Sequence, residues 1–249
     1  MYLIYYEWSI YMNIVKTDNY YDMSKQACEI LIKCLREKPG AMFCIATGSS
    51  PLEAYREFVK RVTEEKLDVS KLKIIKLDEW SGLERNNPAT CEYYISEHIL
   101  KPLGISEDRY ISFNPKEQND KYECQRISSL LMQNGGIDCC ILGLGKNGHL
   151  GLNEPQEEIN PFMHKARLDA KTQTHSMLVS NSTRVTEGYT LGIKDILASR
   201  EILFLVTGQD KQEAYENFLR GQLSSKYPAN YLWLHNNVTC IVDEGSLKE

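Results

Sequence analysis

The chain has 249 residues, 29 Lys+Arg against 34 Asp+Glu for a formal charge of -5, and 42% hydrophobic residues. Such a composition is ordinary for a soluble globular protein and excludes collagen, coiled coil and disorder. The slight acidity also argues against nucleic acid as a partner, because that needs a basic stripe and the cationic clusters here are only pairs, so any anionic ligand must be held by a few placed groups.

The N-terminal run MYLIYYEWSIYMNIV is apolar, but it contains Glu7, has no basic flank or cleavage signal and is too short to span a membrane; Met12 is an alternative start. A helix is predicted over 21–38, then a strand over 42–47 (MFCIAT). The strand runs into Thr47-Gly48-Ser49-Ser50-Pro51 and a helix over 51–65, in which Leu52, Tyr55, Phe58, Val59 and Val62 recur at helical spacing. Ser50 fits the N-cap, Pro51 the first helical position, and Glu53 would close a capping box. Gly48 lets the backbone turn so that Thr47, Ser49 and backbone N–H groups face outward, which suits phosphate.

A strand over 72–77 (LKIIKL) leads directly into Asp78-Glu79-Trp80. A carboxylate there can abstract a carbon-bound proton if desolvation raises its pKa, although acidic residues at such points also cap turns or pair with Lys76 or Arg85. Helices over 91–100 and 120–133 follow, then a strand over 137–144 (IDCCILGL) and the loop Gly143-Leu-Gly-Lys-Asn-Gly-His-Leu-Gly-Leu-Asn-Glu-Pro155. Its start matches G-x-G-x-x-G, but Gly151, Asn153 and Pro155 leave no room for the long helix that a dinucleotide site requires. The loop reads instead as catalytic: His149 moves a proton, Glu154 orients or polarises it, and Asn147 is a further hydrogen-bond partner.

Residues 155–185 are irregular, with strand-like pieces PFMHKARLDA and THSMLV that suggest a small extra sheet or a lid. A helix over 186–198, a strand over 202–207 (ILFLVT), a helix over 211–219 and a strand over 238–242 (VTCIV) complete the chain. Lys211 follows Thr207-Gly-Gln-Asp and sits where a helix dipole disfavours a cation unless an anion binds. The alternation of apolar strands and amphipathic helices predicts an α/β fold: one domain with a doubly wound, mostly parallel sheet. Eight cysteines lack C-x-x-C or ligand spacing and read as reduced packing residues in a cytoplasmic protein; no metal or cofactor is expected.

Taken together, TGSSPL from Thr47, KLDEW from Lys76, GLGKNGHLGLNEP from Gly143 and TGQDK from Thr207 resemble the hexosamine-6-phosphate deaminase/isomerase family, over nearly the whole chain from about Asn13. The resemblance implies a Rossmann-like three-layer fold. It also implies cofactor-free conversion of an amino-sugar 6-phosphate to a ketose 6-phosphate and ammonia. Asp78 matches the family's base, His149 its ring-opening acid/base and Glu154 the assisting carboxylate. Asn147 stands where an Asp is frequent, and an Asn forms no charged pair with His149. Substrate-binding positions are Thr47, Gly48, Ser49, Ser50, Glu79, Gly145 and Lys211, with Arg184 substituting for a family arginine whose stretch is here THSMLV. The segments KLDEW, LDAKTQTH, TLGIKDIL and YLWLH are most similar to the galactosamine-6-phosphate branch, with glucosamine 6-phosphate the alternative substrate. A lactonase and a sugar-phosphate sensor are the rival readings, and the short C-terminus suggests a monomer or homodimer.

Overall fold

The computed structural model describes residues 12–179 and 183–247, so most of the apolar N-terminal run lies outside it. The first half contains β1 (Asn13–Thr17), α1 (Tyr20–Glu37), β2 (Met42–Ile45), α2 (Ser49–Glu64), β3 (Lys73–Lys76), β4 (Asp78–Trp80), α3 (Cys91–Ile95), α4 (Lys101–Leu103), β5 (Tyr110–Ile111) and α5 (Asp120–Gln133). The second contains β6 (Cys139–Gly143), β7 (His164–Arg167), α6 (Ser176–Val179), β8 (Glu187–Thr190), α7 (Ile193–Leu197), β9 (Glu201–Val206), α8 (Gln212–Leu219), β10 (Val238–Asp243) and α9 (Glu244–Leu247).

Seven strands form one sheet in the order β1-β10-β9-β6-β2-β3-β5, with every pairing parallel. Successive side chains of a strand enter opposite cores. Met42 and Cys44 join Cys140, Phe204 and Cys240 on one face, while Phe43 and Ile45 join Cys139, Ile141 and Leu203 on the other. Helices α1 and α2 cover the second face through Met23, Ala27, Leu31, Tyr55 and Phe58; Ile127 of α5 and Phe218 of α8 cover the first. The sheet is therefore doubly wound, which is why β2, β6 and β9 are apolar on both faces. All eight cysteines are free thiols.

A second sheet, β4-β8-β7, is antiparallel, and its own cluster includes Trp80, Leu152, Ala166 and Leu168. Two sequence expectations are corrected in this region. The helix over 186–198 is strand β8 followed by the short α7: Gly188 lies so close to β4 that a Cβ would stand 2.7 Å from Glu79 O. THSMLV is α6 and not a strand, whereas β7 falls inside PFMHKARLDA. Polar Asn13–Thr17, not anticipated, is the edge strand beside β10.

From β2 the chain builds one way through β3 and β5, then returns to β6 and builds the other way through β9 and β10, so the winding reverses between β2 and β6. A crevice opens there at the carboxyl ends of the strands, the place where open α/β sheets bind ligands. No described helix is long and apolar enough to cross a membrane.

Candidate active site

The crevice holds a cavity of about 310 Å³. Four strand ends feed it: Thr47–Ser50 after β2, Asp78 after β3, Gly145, Asn147 and His149 after β6, and Thr207, Gly208 and Lys211 after β9.

The first loop is built as an anion nest. Gly48 takes the N-cap position with φ +96°, a conformation that favours glycine, and no side chain caps the helix. The Gly48 and Ser49 carbonyls accept from the Tyr94 (2.8 Å) and Tyr20 (2.6 Å) hydroxyls, and the first N–H groups of α2, which have no partner within the helix, belong to residues of the cavity wall. Ser50 is therefore not the N-cap and no capping box forms. Its hydroxyl accepts from Lys211 Nζ at 3.2 Å, and Glu53 pairs with Arg56. Burial pulls the Lys211 pKa down to about 8 despite the Asp210 charge, as expected of a cation waiting for an anion.

Asp78 is 8% exposed. Burial, together with the charge of Glu79, raises its carboxyl pKa to about 6, while the Cys91 thiol, His149 and Lys76 pull it partway back. Glu79 faces the opposite way from the cavity. Its carboxylate accepts from Lys76 Nζ (2.7 Å) and from the backbone N–H groups of Trp80, Cys91 and Glu92 (2.8–3.0 Å), and Lys76 also pairs with Glu92. The structure thus gives Glu79 no place in the cavity wall; it forms a fully buried ion pair with Lys76 behind Asp78.

In the glycine-rich loop, Asn147 Oδ1 lies 2.7 Å from His149 Nδ1 and its Nδ2 donates to Glu154 Oε2 at 3.0 Å; Glu154 Oε2 is itself 3.3 Å from His149 Nδ1. This makes Nδ1 the N–H nitrogen and leaves Nε2 as the proton acceptor. Burial pushes the Glu154 pKa up, but His149, Thr172 and Asn147 outweigh it and hold the carboxyl below its ordinary range. The ring lies flat on Gly145, where a Cβ would stand 2.4 Å from Nε2. Asn153 is structural: its amide donates to the Leu150 and Leu191 carbonyls.

Arg184 is not in the cavity wall; it is exposed and bonds Gln173 Oε1 at 3.1–3.2 Å. The wall takes Lys171, Thr172, His175 and Ser176 from the same irregular segment, with Lys146 and Trp80, none of which the sequence singled out for the site. Thr172 Oγ1 is 3.3 Å from His149 Nδ1. The Met177 N–H donates to His175 Nδ1 at 3.3 Å, so Nε2 carries the proton, 3.5 Å from where a Gly48 Cβ would be. Burial, with the His149, Lys211 and Lys146 charges, drops the His175 pKa to about 4, leaving a neutral donor beside the nest. Only the mixture of Lys, Thr and His in AKTQTHS hinted at these contacts. Among the described residues no cluster of three or more His, Cys, Asp or Glu could hold a metal ion.

A buried carboxylate of raised pKa, a histidine bonded to Asn147 and near Glu154, and a lysine at the start of a helix share one cavity, a set of groups able to do acid/base chemistry on a small anionic molecule. The model of the family described as glucosamine-6-phosphate isomerases/6-phosphogluconolactonase matches residues 16–241. The Escherichia coli K12 protein named "Putative deaminase AgaI" is 47% identical over 228 residues, 92% of this chain and 90% of that one. A glucosamine-6-phosphate deaminase of Clostridium acetobutylicum is 33% identical over 239 residues, 95% and 99% of the two chains. A solved monomeric glucosamine-6-phosphate deaminase superposes with a TM-score of 0.90 at 29% identity, covering 95% and 99%. The 6-phosphogluconolactonase of Thermotoga maritima shares the fold, with a TM-score of 0.74 at 18% identity over 93% and 99% of the chains.

Proposed function

Because the chain belongs to the glucosamine-6-phosphate isomerase/6-phosphogluconolactonase family, we propose that it converts galactosamine 6-phosphate and water to tagatose 6-phosphate and ammonia. The observation that carries the deaminase reading is Asp78: a buried carboxylate in the cavity wall with its pKa raised to about 6. Lactone hydrolysis needs water activated by a histidine and has no use for such a base. Moving a proton from C2 to C1 needs one.

The nest at the start of α2, Lys211 and His175 hold the 6-phosphate. His149, oriented through Asn147 and Glu154, moves the proton between the ring oxygen and O1 as the sugar opens. Asp78 then takes the C2 proton of the aldehyde, the electrons form a C1–C2 enolamine, and the proton returns at C1. Water adds to the resulting imine at C2 and ammonia departs. The ring-opening proton is carried by His149 and the C2 proton by Asp78, and the overall reaction involves no net oxidation or reduction.

The choice of sugar rests on segments similar to the galactosamine branch, one of which, LDAKTQTH, supplies Lys171, Thr172 and His175 to the cavity wall. Glucosamine 6-phosphate is the second reading, favoured by the deaminase relatives at 33–34% identity. Incubation with each sugar while following ammonia tests both: a higher kcat/KM for galactosamine 6-phosphate is expected, and no ammonia from either would overturn the deaminase assignment.

Gly145→Ala probes the histidine relay. The added methyl would meet the His149 ring at 2.4–2.5 Å. Displacing the ring should lower kcat on the order of 100-fold, as misplacement by about 1 Å does, with affinity for inorganic phosphate unchanged. Steady-state kinetics and phosphate competition separate the two effects.

A further inference from the structure

The two carboxylate oxygens of Asp78 face different neighbours. Oδ2 is on the side of the glycine-rich loop, 3.4 Å from where a Gly151 Cβ would stand, whereas Oδ1 is 3.6 Å from Sγ of Cys91. Cys91 is 1% exposed and held from three sides. Thr90 caps its helix by accepting from Tyr93 N (3.0 Å), Glu79 Oε1 accepts the Cys91 N–H (3.0 Å), and the Thr47 hydroxyl donates to Sγ (3.3 Å). With Thr47 donating to the sulfur, the thiol's own proton is directed to Asp78. Burial pushes the thiol pKa well above its ordinary value, so it stays protonated and can donate.

We propose that Cys91 is the positioning residue of Asp78: its thiol donates to Oδ1, fixes the plane of the carboxylate and leaves Oδ2 as the atom that accepts the substrate proton. This rests on the reading of Asp78 as the base. Thr47 also lines the nest, so two hydrogen bonds tie the phosphate end of the cavity to its reacting end. A thiol suits the position because it is a weak donor: a hydroxyl would stabilise the carboxylate more and weaken the base, and a methyl would leave Oδ1 unsatisfied. The other titratable or charged groups that bear on Asp78 are Glu79, Lys76 of β3, His149 of the loop and Cys44 of β2, all of which substitution at 91 leaves in place.

The test is the pH dependence of kcat/KM for ammonia release in Cys91→Ser and Cys91→Ala. Because the base must be ionised to act, the acid limb should move down in the serine variant and up in the alanine variant, each by a few tenths of a pH unit, with kcat reduced several-fold in both. Limbs that do not move, or that move the same way, overturn the proposal; a purely packing role would lower kcat without splitting their direction. A second readout needs no turnover. The S–H stretching band lost in Cys91→Ser should shift to higher frequency in Asp78→Asn, where the acceptor loses its charge, and a band that stays put overturns the contact. Normal wild-type turnover with unmoved limbs would sink this role alone; no ammonia from wild type would remove the reaction itself.

Discussion

Asp78→Asn should lower kcat for ammonia release by about 10³-fold or more while KM stays within a few-fold, because the amide keeps the shape of the cavity and cannot take a proton. Near-normal turnover would refute Asp78 as the base. The same variant should gain stability. The folded-state pKa of about 6 lies above the ordinary value of 3.8, so the folded protein holds a proton that the unfolded chain releases. The favourable contribution of that proton is full below about pH 4 and is lost as pH rises through 6. At pH 7 the buried charge then costs up to about 3 kcal/mol. Urea unfolding should show the asparagine variant more stable than wild type at pH 7, with the advantage vanishing near pH 4. The site is thereby held at the expense of the fold, as functional groups commonly are.

Lys211→Met should raise KM for the sugar phosphate, and the inhibition constant of inorganic phosphate, by roughly 10–100-fold, the worth of one charge-assisted hydrogen bond of about 1.5–3 kcal/mol. The effect on kcat should be small, since the lysine lies at the phosphate end. With burial holding its pKa at about 8, the wild-type cation titrates away as pH rises. Wild-type phosphate affinity should therefore weaken above pH 8 beyond any change seen in the methionine variant. Equal phosphate affinities in the two proteins at pH 7 would place the anion elsewhere.

The parts of this site that are legible in the sequence are those encoded within a few residues of a strand end. TGSSP, LDEW and GLGKNGHLGLNEP each carry a local signature, because a strand must stop and its next residues must face the crevice. The misread parts depend on contacts far along the chain. Glu79 has the same composition and position as a ligand-binding carboxylate, and only Lys76 and the N–H groups of α3 turn it inward. Tyr189, Ile193 and Ile196 mimic a helical stripe within 186–198, yet pairing of Glu187–Thr190 with β7, and of Gly188–Thr190 with β4, imposes a strand. Arg184 stands in for a family arginine only by resemblance, and the structure turns it outward to Gln173. In the irregular segment the wall is made by Lys171 and His175, at which only the mixed stretch AKTQTHS hints. Ser50 looked like a cap because Pro51 followed it, but the tyrosines that brace Gly48 and Ser49 let the helix begin two residues earlier.

Leu77 is the single residue between β3 and β4, and it belongs to both sheets: its N–H donates to Ile45 O in the large one, and its C=O accepts from Leu191 N beside the small one. Asp78 is the first residue beyond it. Asp78 therefore takes its backbone position from both sheets at once, and a shift of one sheet against the other would move its carboxylate relative to the strand ends that carry Lys211 and His149.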